Sequence, residues 1–166
     1  GTAHSYYSTE GSSQCIRAML FLALQSAPQN GKRPVLLAAR NAHKALLYAA
    51  ALLDFDIRWL WPSAQAEGAL CSCPVTAEAL TGALHALAQQ GISPFGVYVT
   101  SPDYLGGVQD IPALAAVCRA QGVPLLVDNA HGAYLRFLPQ NCHPIAQGAA
   151  MCCDSAHKTL PVVTGG

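Results

Sequence analysis

A three-layer α/β fold, with a mainly parallel sheet wound by helices on both faces, is what this sequence predicts, and three observations predict it. Helical and strand-like segments alternate four or five times along the chain. The strand-like segments are continuous apolar runs, the pattern that burial on both faces of a parallel sheet produces. Four of these runs are followed at once by polar, chemistry-bearing residues, as expected where parallel strands deliver their carboxyl ends to a ligand crevice.

Each element has its own warrant. Residues 12–27 read as a helix, because Ile16, Met19, Leu20, Leu22 and Ala23 form a broad apolar face before "APQNGKRP" breaks the pattern. "VLLAA" is a short strand. The alanine-rich stretch 41–54 is again helical, and "DIRWLWP" is a strand closed by Pro62, followed by a loop of about fourteen residues. In "TAEALTGALHALAQQG" Thr76 is the candidate N-cap, Glu78 places an acid in the first turn, and Gly91 ends the helix. "PFGVYVTSP" is a strand. "DIPALAAVCRAQG" is a helix carrying Pro112 in its first turn, where a missing N–H does no harm. "VPLLVD" is a strand, "HPIAQG" a short turn, and "AAMCCDS" the last strand.

A chain of 166 residues can bury roughly 70% of its unfolded surface, enough for one domain with a real core. Its 52% hydrophobic content, 11% charged content and zero formal net charge give no basic stripe or acidic tail to attract nucleic acid. A charged fraction so far below the usual roughly 25% implies that part of the surface is covered by a partner subunit or by more chain. The longest apolar runs fall well short of the ~20 residues that span a bilayer, so the expectation is a soluble, cytoplasmic protein with no membrane partner. The seven cysteines are odd in number and show no CxxC pair, so reduced, mostly buried thiols and no metal are expected. Cys152 and Cys153 are adjacent in a strand and should point to opposite faces.

The chemistry gathers at the strand exits. Lys158 follows the last strand, between His157 and an apolar stretch. A lone lysine is usually a snorkelling surface residue, and only its company changes that reading. Asp128 ends the apolar "PLLVD", where an unpaired carboxylate is costly, so it needs a cation or strong donors; its structural alternative is to cap the next turn. Gly11-Ser12-Ser13 opens a helix and offers N–H groups, hydroxyls and the positive dipole end to an anion, although serine is also simply a good cap. His43 and His131 each follow a strand, and singly each reads as a structural histidine. Together, an anion cradle, a buried carboxylate, a strand-end lysine and flat histidine rings are the parts that hold a phosphorylated pyridine aldehyde and let a lysine form a Schiff base with it.

"VDNAHGAYL" followed by "SAHKTLP" resembles the Orn/Lys/Arg decarboxylase major-domain family, pyridoxal 5'-phosphate enzymes of the aspartate-aminotransferase-like fold. "STEGSS", "RNAHKALLYAAALLDFDIRWLWP" and "TSPDYLGGVQDI" match further blocks in the same order, so the resemblance covers essentially the whole chain. It implies that residues 1–166 are the cofactor-binding core of the large domain, a partial PLP-dependent transferase-like domain, with a C-terminal small domain and an N-terminal arm lying outside it. By the same resemblance Lys158 forms the Schiff base, Asp128 pairs with the pyridine nitrogen, Ala130 lies against one ring face and His43 stacks on the other. Gly11, Ser12, Ser13 and Ser155 would hold the phosphate, with His157 beside the lysine contributing, and His131 near the ring. The implied reaction is decarboxylation of lysine, arginine or ornithine to an amine, of the kind used in polyamine formation, in a homodimer or higher homo-oligomer of the full-length enzyme. Asn129 stands where many members carry Glu, and Gly165 where many carry Gln. Aminotransferases, aldolases and carbon–sulfur lyases of the same fold share the lysine and aspartate, and an inactive truncated core is a further alternative; a terminal Gly-Gly conjugation tail has little in its favour.

Overall fold

The computed structural model describes residues 2–27, 31–62 and 71–162. Gly165, most of the loop after Pro62 and the middle of "APQNGKRP" lie outside the described residues.

Helix α1 (Ser12–Gln25) buries Ile16, Met19, Leu20 and Ala23, a single face at helical spacing. Its N-cap is Gly11 at φ 75°, left-handed backbone that glycine adopts without strain. Strand β1 (Val35–Ala39) is buried at every position. Helix α2 (Lys44–Leu53) starts three residues later than the alanine-rich pattern suggested, because His43 is its N-cap: the ring Nδ1 accepts the Ala45 N–H at 3.2 Å. Strand β2 (Asp56–Leu60) departs from the expected unbroken burial, with Asp56 and Arg58 exposed. It is an edge strand paired only with β1, so its outer residues meet water, and the Arg33 guanidinium bridges Asp54 and Asp56 there at 2.8 and 3.3 Å.

Helix α3 (Ala77–Gln89) is capped by Thr76, whose hydroxyl accepts the Ala79 N–H, and Gly91 follows at φ 67°. Strand β3 (Gly96–Thr100) leads to helix α4 (Ile111–Ala120), which Asp110 caps through the Ala113 N–H. Strand β4 (Leu125–Asn129), a 3-10 turn over Ala133–Phe137, strand β5 (Met151–Asp154) and the short helix α5 (Ala156–Thr159) complete the described chain.

The five strands form one sheet in the order β2-β1-β3-β4-β5, and all four pairings are parallel. Alternation along the strands splits the core into two layers. Leu37, Val97, Val99, Leu125 and Val127 pack with α3 and α4 on one face. Leu36, Ala38, Tyr98 and Leu126 pack with α1 and α2 on the other. Cys152 joins the first layer and Cys153 the second, so the adjacent cysteines do face opposite sides. All seven cysteines are free thiols. No helix among the described residues is long and apolar enough to cross a membrane.

Strand order reverses between β1 and β3, and a crevice opens at such a switch point beyond the strands' carboxyl ends. The turn after β4 is packed tightly below it. A Cβ on Gly132 would overlap the Asn129 side-chain oxygen and Pro102 Cδ, both in the buried floor. Gly132→Ala is therefore expected to destabilise the fold by about 1–3 kcal/mol through overpacking, read as a lower thermal midpoint.

Candidate active site

A cavity of about 500 Å³ lies at this switch point, within the size range of small-molecule sites. Four strand exits supply its wall. Arg40, Asn41 and His43 come from the end of β1, Trp61 and Pro62 from that of β2, and Thr100 from that of β3. Asp128, Ala130 and His131 come from the end of β4, Lys158 from α5 and Ser12 from the start of α1.

Asp128 is buried at 2% exposure without an ion-pair partner among the described residues. Donors hold it instead. The Tyr98 hydroxyl donates to Oδ2 at 3.0 Å and the Ala130 N–H donates to Oδ1 at 3.1 Å. The second contact is the turn-capping role that the sequence allowed, so Asp128 caps the turn and still presents its charge to the cavity. Burial, reinforced by the negative charge of Asp128, pushes the Tyr98 phenol well above its ordinary value, so it stays protonated and donates.

Lys158 is exposed, and its Nζ lies 3.2 Å from His131 Nε2. Burial first, and then the positive charge of Lys158, hold His131 below its ordinary value. A neutral imidazole is thus the form that accepts from the ammonium. The folded chain then binds fewer protons at this site than the unfolded chain, whose ordinary value is 6.5. Stability is therefore expected to fall as pH drops through 6.5, and His131→Gln should flatten that part of the denaturation midpoint's pH dependence. The His131 ring also meets Tyr104 edge to face at 5.8 Å.

Of the residues singled out in the sequence, Ser12, His43, Asp128, Ala130, His131 and Lys158 converge on the cavity. Gly11, Ser13, Ser155 and His157 do not line it. Gly11 shapes the α1 start, Ser13 is exposed, and the buried Ser155 lies with its hydroxyl 3.3 Å from His157 Nδ1, just ahead of Lys158. Sequence reasoning missed Tyr98, whose link to Asp128 crosses neighbouring strands. Arg40, one of the polar residues directly after β1, has its guanidinium over the Trp59 and Trp61 rings at 5.1 and 5.5 Å.

The residues present fit a phosphorylated pyridine aldehyde. Asn41 Oδ1, Thr100 Oγ1 and His131 Nδ1 are buried polar atoms without a partner, and all three residues line the cavity. Unmet polar atoms on residues that line a cavity of this size mark a place where a polar ligand can complete the hydrogen bonding. A primary amine, a fixed carboxylate and a helix N-terminus stand around the same space.

Comparison with known proteins bears on the family and the fold. An arginine decarboxylase of Halalkalibacterium halodurans is 27% identical over 161 residues, covering 95% of this chain and 30% of its own length. The chain thus spans about a third of the curated relatives it matches. Among solved structures, mouse CSAD superposes with a TM-score of 0.71 at 24% identity, over 90% of this chain and 33% of that one. Oryza sativa TDC with PLP does so with a TM-score of 0.69 at 22% identity, over 90% and 33%. At these identities the likeness establishes the fold. The family model described as "Orn/Lys/Arg decarboxylase, major domain" matches residues 1–166, and the chain belongs to that family.

Proposed function

We propose that the protein is a pyridoxal-phosphate-dependent decarboxylase that converts a basic amino acid, lysine, arginine or ornithine, to its amine and CO2. The observation that carries this reading is the convergence of Lys158 and Asp128 on one cavity, three of whose lining residues carry unpartnered buried polar atoms. Family membership and a relative named as an arginine decarboxylase support it.

When bound, the cofactor supplies an aldehyde that captures amines and a pyridinium ring that draws electrons from the bond being broken. The chain's own residues prepare that chemistry. His131 Nε2 accepts from Lys158 Nζ at 3.2 Å and so positions the amine at the cavity wall. Asp128, fixed by Tyr98 and Ala130, keeps a negative charge where a ring nitrogen can hold its proton. The N-terminus of α1, with Ser12 on the cavity wall, receives the phosphate; Gly11 and Ser13 flank Ser12 in sequence, and Ser155 and His157 shortly precede Lys158. His43, anchored by its capping bond, walls the ring space opposite Ala130. Arg40 gives the cavity a cation without a carboxylate partner among the described residues, suited to the substrate carboxylate. The exposed apolar face of α2, Leu47, Tyr48 and Leu52, supports a homo-oligomeric enzyme, and we place that enzyme in the cytoplasm, forming amines for polyamine synthesis.

The test is CO2 release from lysine, arginine and ornithine by the full chain with pyridoxal phosphate. Release from one of the three is expected. Amino-group exchange with a keto acid and no CO2 would replace this reading by an aminotransferase.

A further inference from the structure

A second group of chemically matched side chains lies away from the cavity, on the other face of the sheet. His143, in the loop after the 3-10 turn, and Cys152 and Asp154, alternate residues of β5, bring Nε2, Sγ and a carboxylate oxygen within 4.8 Å of one another. None of the three lines the cavity. Cys152 packs in the core layer beneath α3 and α4, whereas Asp128 and Tyr98 belong to the opposite face.

The distances come within a few tenths of an ångström of those between ligands around a common centre. His143 Nε2 is 3.1 Å from Asp154 Oδ2 and 3.7 Å from Cys152 Sγ, and Sγ is 3.9 Å from Oδ2. Around a tetrahedral Zn²⁺ with bonds of about 2.0–2.3 Å, ligand atoms stand roughly 3.3–3.6 Å apart. A cysteine–histidine–aspartate relay would place its partners on opposite ring nitrogens. Here the thiol and the carboxylate both face Nε2, so the trio cannot pass a proton from one to the other through the ring, and its geometry is convergent. The Asp154 carboxylate is also anchored, since the Asn129 amide donates to Oδ1, while His143 Nε2 lies 3.3 Å from Oδ1 and 3.1 Å from Oδ2. Asp154 is 39% exposed, which gives an ion a path in and leaves its fourth position to water.

We propose that His143, Cys152 and Asp154 form a binding site for a borderline divalent cation of the Zn²⁺ type, tying the loop around His143 to the end of β5. The mixed N, S and O donor set suits Zn²⁺ and does not suit Mg²⁺ or Ca²⁺, which take oxygen. Without an ion the thiol stays protonated, because burial and the charge of Asp154 push it up. Binding releases the Cys152 proton to solvent and moves the ring proton of His143 to Nδ1, at the loss of the weak 3.4 Å contact from the Ile145 N–H. Affinity therefore falls as the pH is lowered.

The test uses the full chain, stripped with chelator, then dialysed against Zn²⁺ or Mg²⁺ and assayed for bound metal, thermal midpoint and the zinc X-ray absorption edge. The expected result is about one Zn²⁺ retained per chain with a sulfur ligand and a raised midpoint, and no response to Mg²⁺. Cys152→Ser and His143→Gln should each weaken retention by about tenfold or more. Asp154→Asn, which keeps the shape of the side chain, provides the reading if either variant fails to fold by circular dichroism. No retained Zn²⁺, or retention unchanged in the folded variants, overturns the site and leaves a hydrogen-bonded trio.

Discussion

Replacing Lys158 by alanine is expected to abolish turnover, with the residual rate reduced by at least about a thousandfold, the scale seen when an activated nucleophile is removed. The side chain has no buried packing to lose: Lys158 is exposed, sits on the one-turn helix α5, and has its Nζ 3.2 Å from His131 Nε2. The thermal midpoint should accordingly move little, which separates a chemical loss from a folding loss. A second readout does not depend on turnover. Borohydride treatment of the cofactor-loaded protein should attach the cofactor permanently to the native chain and not to the variant. Equal attachment in both would remove Lys158 from its role and point to another lysine. His131→Gln should retain attachment but slow it, since the imidazole only assists the amine.

The fold was legible because its signals are local and agree with one another. Thr76, Pro112 and Gly91 each mark a helix end by their own backbone chemistry, and each does so here. The unbroken apolar runs of β1, β3 and β4 are fully buried, as parallel central strands require. The reading failed where position in the sheet, not composition, decides. β2 is an edge, so Asp56 and Arg58 are exposed in what was read as a buried strand. The helix after β1 begins at Lys44 because the His43 side chain takes a backbone N–H, a capping role outside the usual serine, threonine and aspartate set.

The candidate site was legible for a related reason: in a parallel sheet all strand exits lie at one end, so polar residues after each run must be neighbours. Asp128, His131, His43 and Lys158 meet on that ground alone. Side-chain reach across strands was not legible. Tyr98 reads as one more apolar strand residue, and its partner in register is Leu126; only the length of the phenol carries it onward to Asp128. The trio of His143, Cys152 and Asp154 was hidden for another reason. The cysteines invited a search for CxxC spacing, whereas this cluster needs a loop to fold back beside β5.

Asp128→Asn is expected to lower kcat by about 10²–10³-fold, roughly 3–4 kcal/mol of transition-state stabilisation, while leaving the fold intact. The amide is nearly the shape of the carboxylate. Its oxygen can keep the Ala130 N–H, and its amino group can donate to the Tyr98 hydroxyl in place of the bond that the phenol now donates at 3.0 Å. What the substitution removes is the fixed negative charge, and with it the reason for a ring nitrogen to stay protonated. Two companion variants separate charge from scaffold. Tyr98→Phe keeps the charge and deletes one donor, so a smaller rate loss and about 1–3 kcal/mol of stability are expected. Asp128→Ala strands the buried phenol and frees the turn, so it should lose both rate and midpoint. If Asp128→Asn instead turns over at the native rate, the charge is dispensable. Asp128 would then be the turn cap that its bond to Ala130 already describes, and the proposed electron-withdrawing role would fall with it.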